Sequence, residues 1–137
     1  QIGLGLQLDS GLMLGGKYIQ LEDGAKADDG DKATATLTGT GISLGYLHDS
    51  GFGLMGTYLF EPEKEIDAGS TATWKGGDGN VIDIGYYFDN GDWAVGPQLS
   101  LVTATYKKIE SDGDETELDS PYEETYTYPY VSLLFFF

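Results

Sequence analysis

Apolar side chains recur at every second position through most of this chain, and helical spacing is almost absent. The first segment, "IGLGLQL", shows the pattern: four aliphatic residues between Ile2 and Leu8 alternate with glycine and glutamine. Because successive side chains of a β-strand point to opposite faces, a two-residue period predicts strands with one apolar face. The sequence therefore predicts an all-β protein.

Three short turn sequences, "DSG", "HDSG" and "DNGD", lie near residues 9, 49 and 89, and each separates two alternating runs. This spacing predicts a repeated unit of strand, tight turn, strand and long loop. Seven strands are expected in a single domain covering residues 1–137, near 2–8, 12–21, 33–47, 52–60, 70–88, 93–106 and 125–137. Long loops are expected at 22–32, 61–69 and 107–124, which hold 17 of the 23 acidic residues.

The face opposite the large apolar residues carries mainly glycine, alanine and serine, such as Gly41, Gly45, Gly85 and Ser100. A soluble β-sandwich or lipocalin-like barrel, which is the alternative, would turn this face to water and would need polar side chains on it. Small residues instead suit the interior of a narrow barrel. The large apolar residues are then expected to face lipid.

Aromatic residues on the apolar face fall into two groups, as in the interfacial girdles of membrane barrels. One group lies near the short turns, and the other lies nearer the long loops: Tyr46, Phe52, Phe88, Trp93 and Phe137, then Tyr18, Tyr58, Phe60 and Trp74. The sequence therefore predicts an antiparallel, up-and-down transmembrane β-barrel.

The last strand, "PYVSLLFFF", resembles the C-terminal recognition strand of Gram-negative outer-membrane barrels, with Val131, Leu133, Phe135 and the terminal Phe137 at alternate positions. Together with the hairpins, the chain resembles the small OmpA/OmpX-type barrels. This resemblance implies about eight strands, a bacterial outer membrane, lipopolysaccharide as a neighbour, and recognition of Phe137 by the barrel-assembly machinery. It also implies extracellular long loops, with the short turns and C-terminus in the periplasm.

The strand count differs from that pattern, because bacterial barrels usually have an even number of strands. In this orientation the first strand begins outside, whereas both termini of such barrels are normally periplasmic. We therefore expect a further strand upstream of residue 1.

The formal net charge of -16, without a single arginine, argues against nucleic acid as a partner. The absence of cysteine excludes disulfides and thiolate chemistry. The only histidine, His48, lies in a short turn beside Asp49 and Ser50, and neighbours in one turn do not give the geometry of a nucleophile and its base. We expect neither an enzyme nor a cofactor.

Lys17 and Asp83 are the clearly inward charges of the predicted strands, with Gln7 and Gln98 as polar neighbours. They could form a gate or proton path, or an ion pair that closes the barrel. Two acidic segments could bind divalent cations weakly, although neither matches a calcium-binding loop: Asp78 and Asn80 in "GGDGN", and Asp112, Asp114 and Glu115 in "ESDGDETELD". No firm metal site is predicted.

We expect a structural or surface-interaction role, with other surface or membrane proteins as further partners. The alternative is a narrow channel or a conduit for small or hydrophobic molecules.

Overall fold

The computed structural model describes residues 1–8, 10–26, 32–67, 70–89 and 93–135, and it is all-β. Among these residues no helix is long and apolar enough to cross a membrane. The strand segments are β1 (Ile2–Gln7), β2 (Leu12–Lys26), β3 (Lys32–Leu47), β4 (Phe52–Asp67), β5 (Thr71–Lys75), β6 (Asp78–Tyr86), β7 (Phe88–Asp89), β8 (Trp93–Ser111) and β9 (Asp114–Phe135).

Every pairing between these strands is antiparallel, and the sheet curls into an up-and-down barrel. The pairing runs from β1 through β2 and β3 to β4, and it ends with β8 and β9. The segments β5, β6 and β7 lie end to end between β4 and β8, so together they occupy one strand position in the barrel. The described chain thus occupies seven strand positions around the barrel. The prediction of an all-β antiparallel barrel is confirmed.

In the described part of the chain, a side chain rather than a backbone ladder bridges the seam between the start of β1 and the β8–β9 pair. Within the described residues, β1 pairs with β2 and β9 pairs with β8, and no ladder links β1 to β9. The amide of Gln1 spans this seam: its Nε2 donates to Ser100 Oγ at 3.4 Å, and its Oε1 accepts from the Tyr130 hydroxyl at 3.3 Å. We call the end of the barrel where β1 meets β2 and β3 meets β4 the turn end, and the opposite end the distal end.

The predicted long loops are mostly strand, so that prediction was wrong. β2 continues to Lys26 and β4 to Asp67, and residues 107–124 form a hairpin whose turn is Asp112 and Gly113. Residues 27–31 and 68–69 lie outside the described part. The backbone ladder simply continues, as in the pairs Glu22↔Thr36 and Lys108↔Glu117. In these extensions many outward positions are acidic or threonine, so the apolar alternation that marks the strands near the turn end is lost.

A β-bulge in β4 changes which side chains point inward. The ladder passes from Thr40↔Phe60 to Thr38↔Glu63, so β4 has one residue more than β3 between these pairs. Glu61 adopts a φ of 43°, and Pro62 is buried at the bulge, where a missing N–H is tolerated. After the bulge, Lys64 points to the interior instead of outward.

The interior has three layers. Near the turn end, Leu47, Tyr87 and Ala94 are buried together. A polar layer follows, built around Lys17 and Asp83. The distal layer is a buried apolar cluster: Ile19, Leu37, Leu59, Val81, Val102, Ala104 and Tyr106.

The outer surface carries the large apolar residues, which form what we call the apolar belt. Its aliphatic members are exposed on β1, β2, β3, β4, β6, β8 and β9, reaching 76% for Leu4 and 74% for Val131. Aromatic residues bound the belt at both ends: Tyr46, Phe52, Tyr86, Phe88 and Trp93 towards the turn end, and Tyr18, Tyr58 and Phe60 on the distal side. Trp74, expected among the latter, instead packs against the distal apolar cluster, because Gly76 and Gly77 interrupt the strand between β5 and β6.

Candidate functional site: the polar interior and the distal mouth

Lys17 and Asp83 meet inside the barrel. Their side chains are 4% and 1% exposed, and Lys17 Nζ forms an ion pair with Asp83 Oδ2. The other carboxylate oxygen, Oδ1, accepts a hydrogen bond from Ser100 Oγ at 2.6 Å. Both charges predicted to lie inside are therefore brought together, and the pair neutralises itself where solvent is excluded.

Three more side chains extend this polar layer. The hydroxyl of Tyr130 lies 3.2 Å from Asp83 Oδ1. Gln98 donates from Nε2 to the Tyr130 hydroxyl, and it accepts from the Tyr87 hydroxyl at Oε1. Gln98 was predicted as a polar residue of the interior, but Tyr130 was not, because the tyrosines of β9 form one uniform alternating series in the sequence.

Gln7, the fourth predicted polar residue, does not join this layer. It lies exposed on β1, opposite Met13 in the ladder. Gly3 and Gly5, which share a face of β1 with Gln7, are also exposed.

His48 lies in an exposed turn, where its ring is near Ser50 and, at 6.2 Å between ring centroids, near Tyr46. Its Nδ1 accepts from the Ser50 backbone N–H at 3.1 Å and lies 2.9 Å from Ser50 Oγ. All of these groups are exposed, so the contacts stabilise a surface turn.

A second ion pair crosses the barrel at the distal mouth. Lys64 Nζ on β4 contacts Glu124 Oε1 at 2.5 Å and Oε2 at 2.6 Å. The hydroxyls of Tyr122, at 2.8 Å, and Tyr126 also donate to this carboxylate. Burial works against ionisation of Glu124, but these hydrogen bonds from Lys64, Tyr126 and Tyr122 outweigh it and lower the pKa of the carboxyl.

Aromatic rings pack beside this pair. The ring centroids of Trp74 and Tyr122 lie 5.1 Å apart, and Tyr106 stacks on Tyr122 at 6.4 Å. The Tyr106 hydroxyl is buried and has no hydrogen-bond partner in the described part of the chain. This cluster was not predicted from the sequence; the features that indicate it are the bulge sequence "EPE" and the pair Gly76–Gly77.

A small pocket of about 40 Å³ opens next to Lys64. Strands β2, β3 and β4 form one wall, and β9 forms the other. Its lining combines two opposite charges with aromatic and aliphatic surface: Leu21, Asp23, Ala35, Leu37, Lys64, Tyr126 and Tyr128. We call it the mouth pocket.

The predicted cation-binding residues are spread over the distal end. Asp78 and Asn80 are exposed on β6, while Asp112 lies in the turn of the β8–β9 hairpin and Asp114 follows that turn. Glu115 is engaged by lysines, with its Oε1 2.7 Å from Lys108 Nζ and its Oε2 3.1 Å from Lys75 Nζ. In the described ranges no three His, Cys, Asp or Glu side chains are grouped to hold a metal ion. Cation binding there stays a prediction.

The predicted assembly signal is described in part. Val131 and Leu133 are 74% and 52% exposed on the outer face of β9. Phe135 pairs through its backbone with Trp93, and Phe137 lies outside the described residues.

Comparison of the chain with protein-family models, curated proteins and solved structures finds no match.

Proposed function

We propose that this chain is an integral outer-membrane β-barrel with a structural or surface-interaction role. The observation that carries the proposal is the inverted distribution of polarity. Leu4, Leu14 and Ile42 are 76%, 60% and 59% exposed, whereas Lys17 and Asp83 are buried. Such an arrangement is unfavourable in water, where apolar burial is the main driving force, and it suits a hydrocarbon solvent.

The size of the apolar belt fits this solvent. Along β8 it extends from Trp93 to Leu101, which are nine residues on one strand. At about 3.3 Å per residue and a tilt of about 40°, these residues span roughly 23 Å across the belt. Membrane barrels have an apolar band of about 25 Å.

Charge supports the orientation in which the turn end is periplasmic. The distal extensions carry the acidic residues of 22–26, 61–67 and 107–124. An acidic, threonine-rich surface directly beyond the belt suits divalent cations shared with lipopolysaccharide phosphates. The final strand, as its resemblance implies, addresses the chain to the barrel-assembly machinery.

The filled interior favours a structural or interaction role over the channel or conduit. The polar layer neutralises its own charges, and the distal cluster from Ile19 to Tyr106 is buried apolar surface. An ion crossing these two layers would have to break a buried ion pair and then enter an apolar region, and both steps are costly.

The membrane proposal is tested with a single tryptophan. In a Trp74→Phe variant, Trp93 is the sole tryptophan, and it lies at the edge of the apolar belt. In reconstituted vesicles, its fluorescence is expected to be quenched by lipids brominated near the headgroup more than by lipids brominated at the chain ends. A folded monomer in plain buffer without detergent, with no quenching by lipid, contradicts the proposal.

The orientation is tested with single cysteines, since the chain has none of its own. Glu117→Cys in the β8–β9 hairpin is expected to react with a membrane-impermeant maleimide on intact Gram-negative cells. The matched variant Asp49→Cys, also exposed but at the turn end, should react only after the outer membrane is permeabilised. The reverse pattern would invert the proposed topology.

A further inference from the structure

The mouth pocket offers hydrogen-bond donors and acceptors that its own residues do not use. An ammonium group has three donors, and the Lys64 contacts to Glu124 occupy two directions. On the facing side, Asp23 is exposed on β2 and has no hydrogen bond or ion pair in the described part of the chain. A ligand can therefore donate to one wall and accept from the other.

The charges around the pocket select against an anionic ligand. A carboxylate or phosphate entering the pocket would approach Asp23 and also Glu124, which already neutralises Lys64. Like charges at such short range are repulsive, more so at a partly dehydrated site. Among uncharged ligands, the pocket favours a group that carries both donors and acceptors, as a hydroxyl does.

The remaining surface suits the C–H face of a ring. Tyr126 and Tyr128 are half-buried on β9, with their ring centroids 6.0 Å apart and their planes inclined by 27°. Leu21 and Leu37 form the apolar floor. A pyranose presents C–H groups on one face and hydroxyls at its edge, so aromatic and aliphatic surface next to polar groups matches it.

We infer that the mouth pocket binds one saccharide unit, held by Asp23, Lys64 and Tyr128. At about 40 Å³ the pocket accommodates a hydroxyl-bearing edge of the ring, since about 10–15 Å³ holds one water. The rest of the ring lies over the tyrosines. The site itself depends only on the barrel, while a cell-surface origin of the saccharide rests on the proposed function.

The test is a titration of the folded protein in a zwitterionic micelle that lacks a sugar headgroup. Binding is monitored by the NMR chemical shifts of the backbone amides in β2 and β9. Methyl glucoside and methyl N-acetylglucosaminide are the neutral probes, with glucosamine and glucuronate as charged counterparts. We expect saturable shifts around Asp23 and Tyr128, with dissociation constants on the order of 1–10 mM for at least one neutral probe. No localised shifts with either neutral probe, or tighter binding of the anionic glucuronate than of the neutral probes, overturns the inference.

Variants separate the pocket from nonspecific effects. Asp23→Ala and Tyr128→Leu are each expected to weaken binding about tenfold or more. Asp78→Ala, which removes an exposed aspartate from the outer face of β6, should leave binding unchanged. Circular dichroism verifies folding, and equal affinity of all three variants would overturn the assignment. If the protein proves soluble without detergent, the membrane proposal fails, and the same titration in buffer still tests the pocket.

The source of the saccharide is read from chain length. Maltotriose binding with the affinity of methyl glucoside assigns the site to a free monosaccharide. Tighter binding of the trisaccharide assigns it to the terminal unit of a longer glycan.

Discussion

Lys17 on β2 and Asp83 on β6 form an ion pair across the interior of the barrel, although β3 and β4 separate their strands. Ser100 and Tyr130 supply further hydrogen bonds to the same carboxylate. The pair therefore links opposite walls, and its charges are satisfied without water.

Removing one partner of this pair should destabilise the barrel strongly. Lys17→Met leaves a buried, uncompensated carboxylate and is expected to lower the free energy of unfolding by about 3–5 kcal/mol. The double variant Lys17→Met/Asp83→Asn, which keeps an acceptor for Ser100, should be less destabilised than the two single effects added together. Urea unfolding in lipid vesicles measures this, with the exposed Lys107→Met as the control. Additive losses would show that the pair is not coupled.

Depth along the apolar belt should set the effect of an introduced charge. In the proposed membrane arrangement, Leu99 lies near the middle of the belt and Thr103 beyond its distal edge on the same face of β8. Leu99→Arg is expected to lower the free energy of unfolding by about 2–4 kcal/mol, and Thr103→Arg by about 0–1 kcal/mol. The same vesicle assay compares them. Equal losses would argue against a bilayer around the belt.

Two glycines of β3 should differ in their tolerance of a methyl group. A Cβ on Gly41 would lie 2.0 Å from the Tyr58 carbonyl oxygen, whereas one on Gly39 would meet Ile19 at 3.5 Å. Gly41→Ala should destabilise by about 1–3 kcal/mol because the backbone must move. Gly39→Ala should be neutral or stabilise by up to about 1 kcal/mol, since alanine restricts the unfolded chain. Equal unfolding midpoints for the two variants would contradict this packing.

Glu124 should titrate below the ordinary range of glutamate. Because its folded pKa is lowered, its contribution to stability is fully present above the unfolded value of about 4.3 and is lost as pH falls through the folded pKa. Carboxyl NMR should show the pKa of Glu124 rising in Lys64→Met. Lys108→Met is the matched control: it should raise the pKa of Glu115, which hydrogen bonds from Lys108 and Lys75 hold low, and leave that of Glu124 unchanged.

The half of the barrel near the turn end was predictable because its strands follow one signal, the two-residue alternation of apolar side chains. Most outward residues there are large and apolar, as in Ile82 and Ile84, and most residues between them are small or buried. The inward placement of Lys17 and Asp83 follows from that alternation. Their direct contact does not, because it depends on how the strands are staggered around the barrel.

The distal half was not predictable in the same way. Both alternating faces of its strands are largely polar, so the segments "EPEKEID" and "SDGDETELDS" were predicted to be loops. The bulge at Glu61 and the interruption at Gly76 then reverse the inward face. Lys64 and Trp74 consequently lie inside, where a simple two-residue period assigns them to the outside.

The two cross-barrel ion pairs also have a mechanical consequence. A thin-walled tube flattens easily when it is squeezed from the side. Lys17–Asp83 ties β2 to β6, and Lys64–Glu124 ties β4 to β9 at a different height. The two ion pairs are offset by two strand positions around the barrel, so they span the interior in different directions. When the barrel is squeezed along one diameter, the perpendicular diameter must lengthen, and an ion pair that spans it opposes that lengthening.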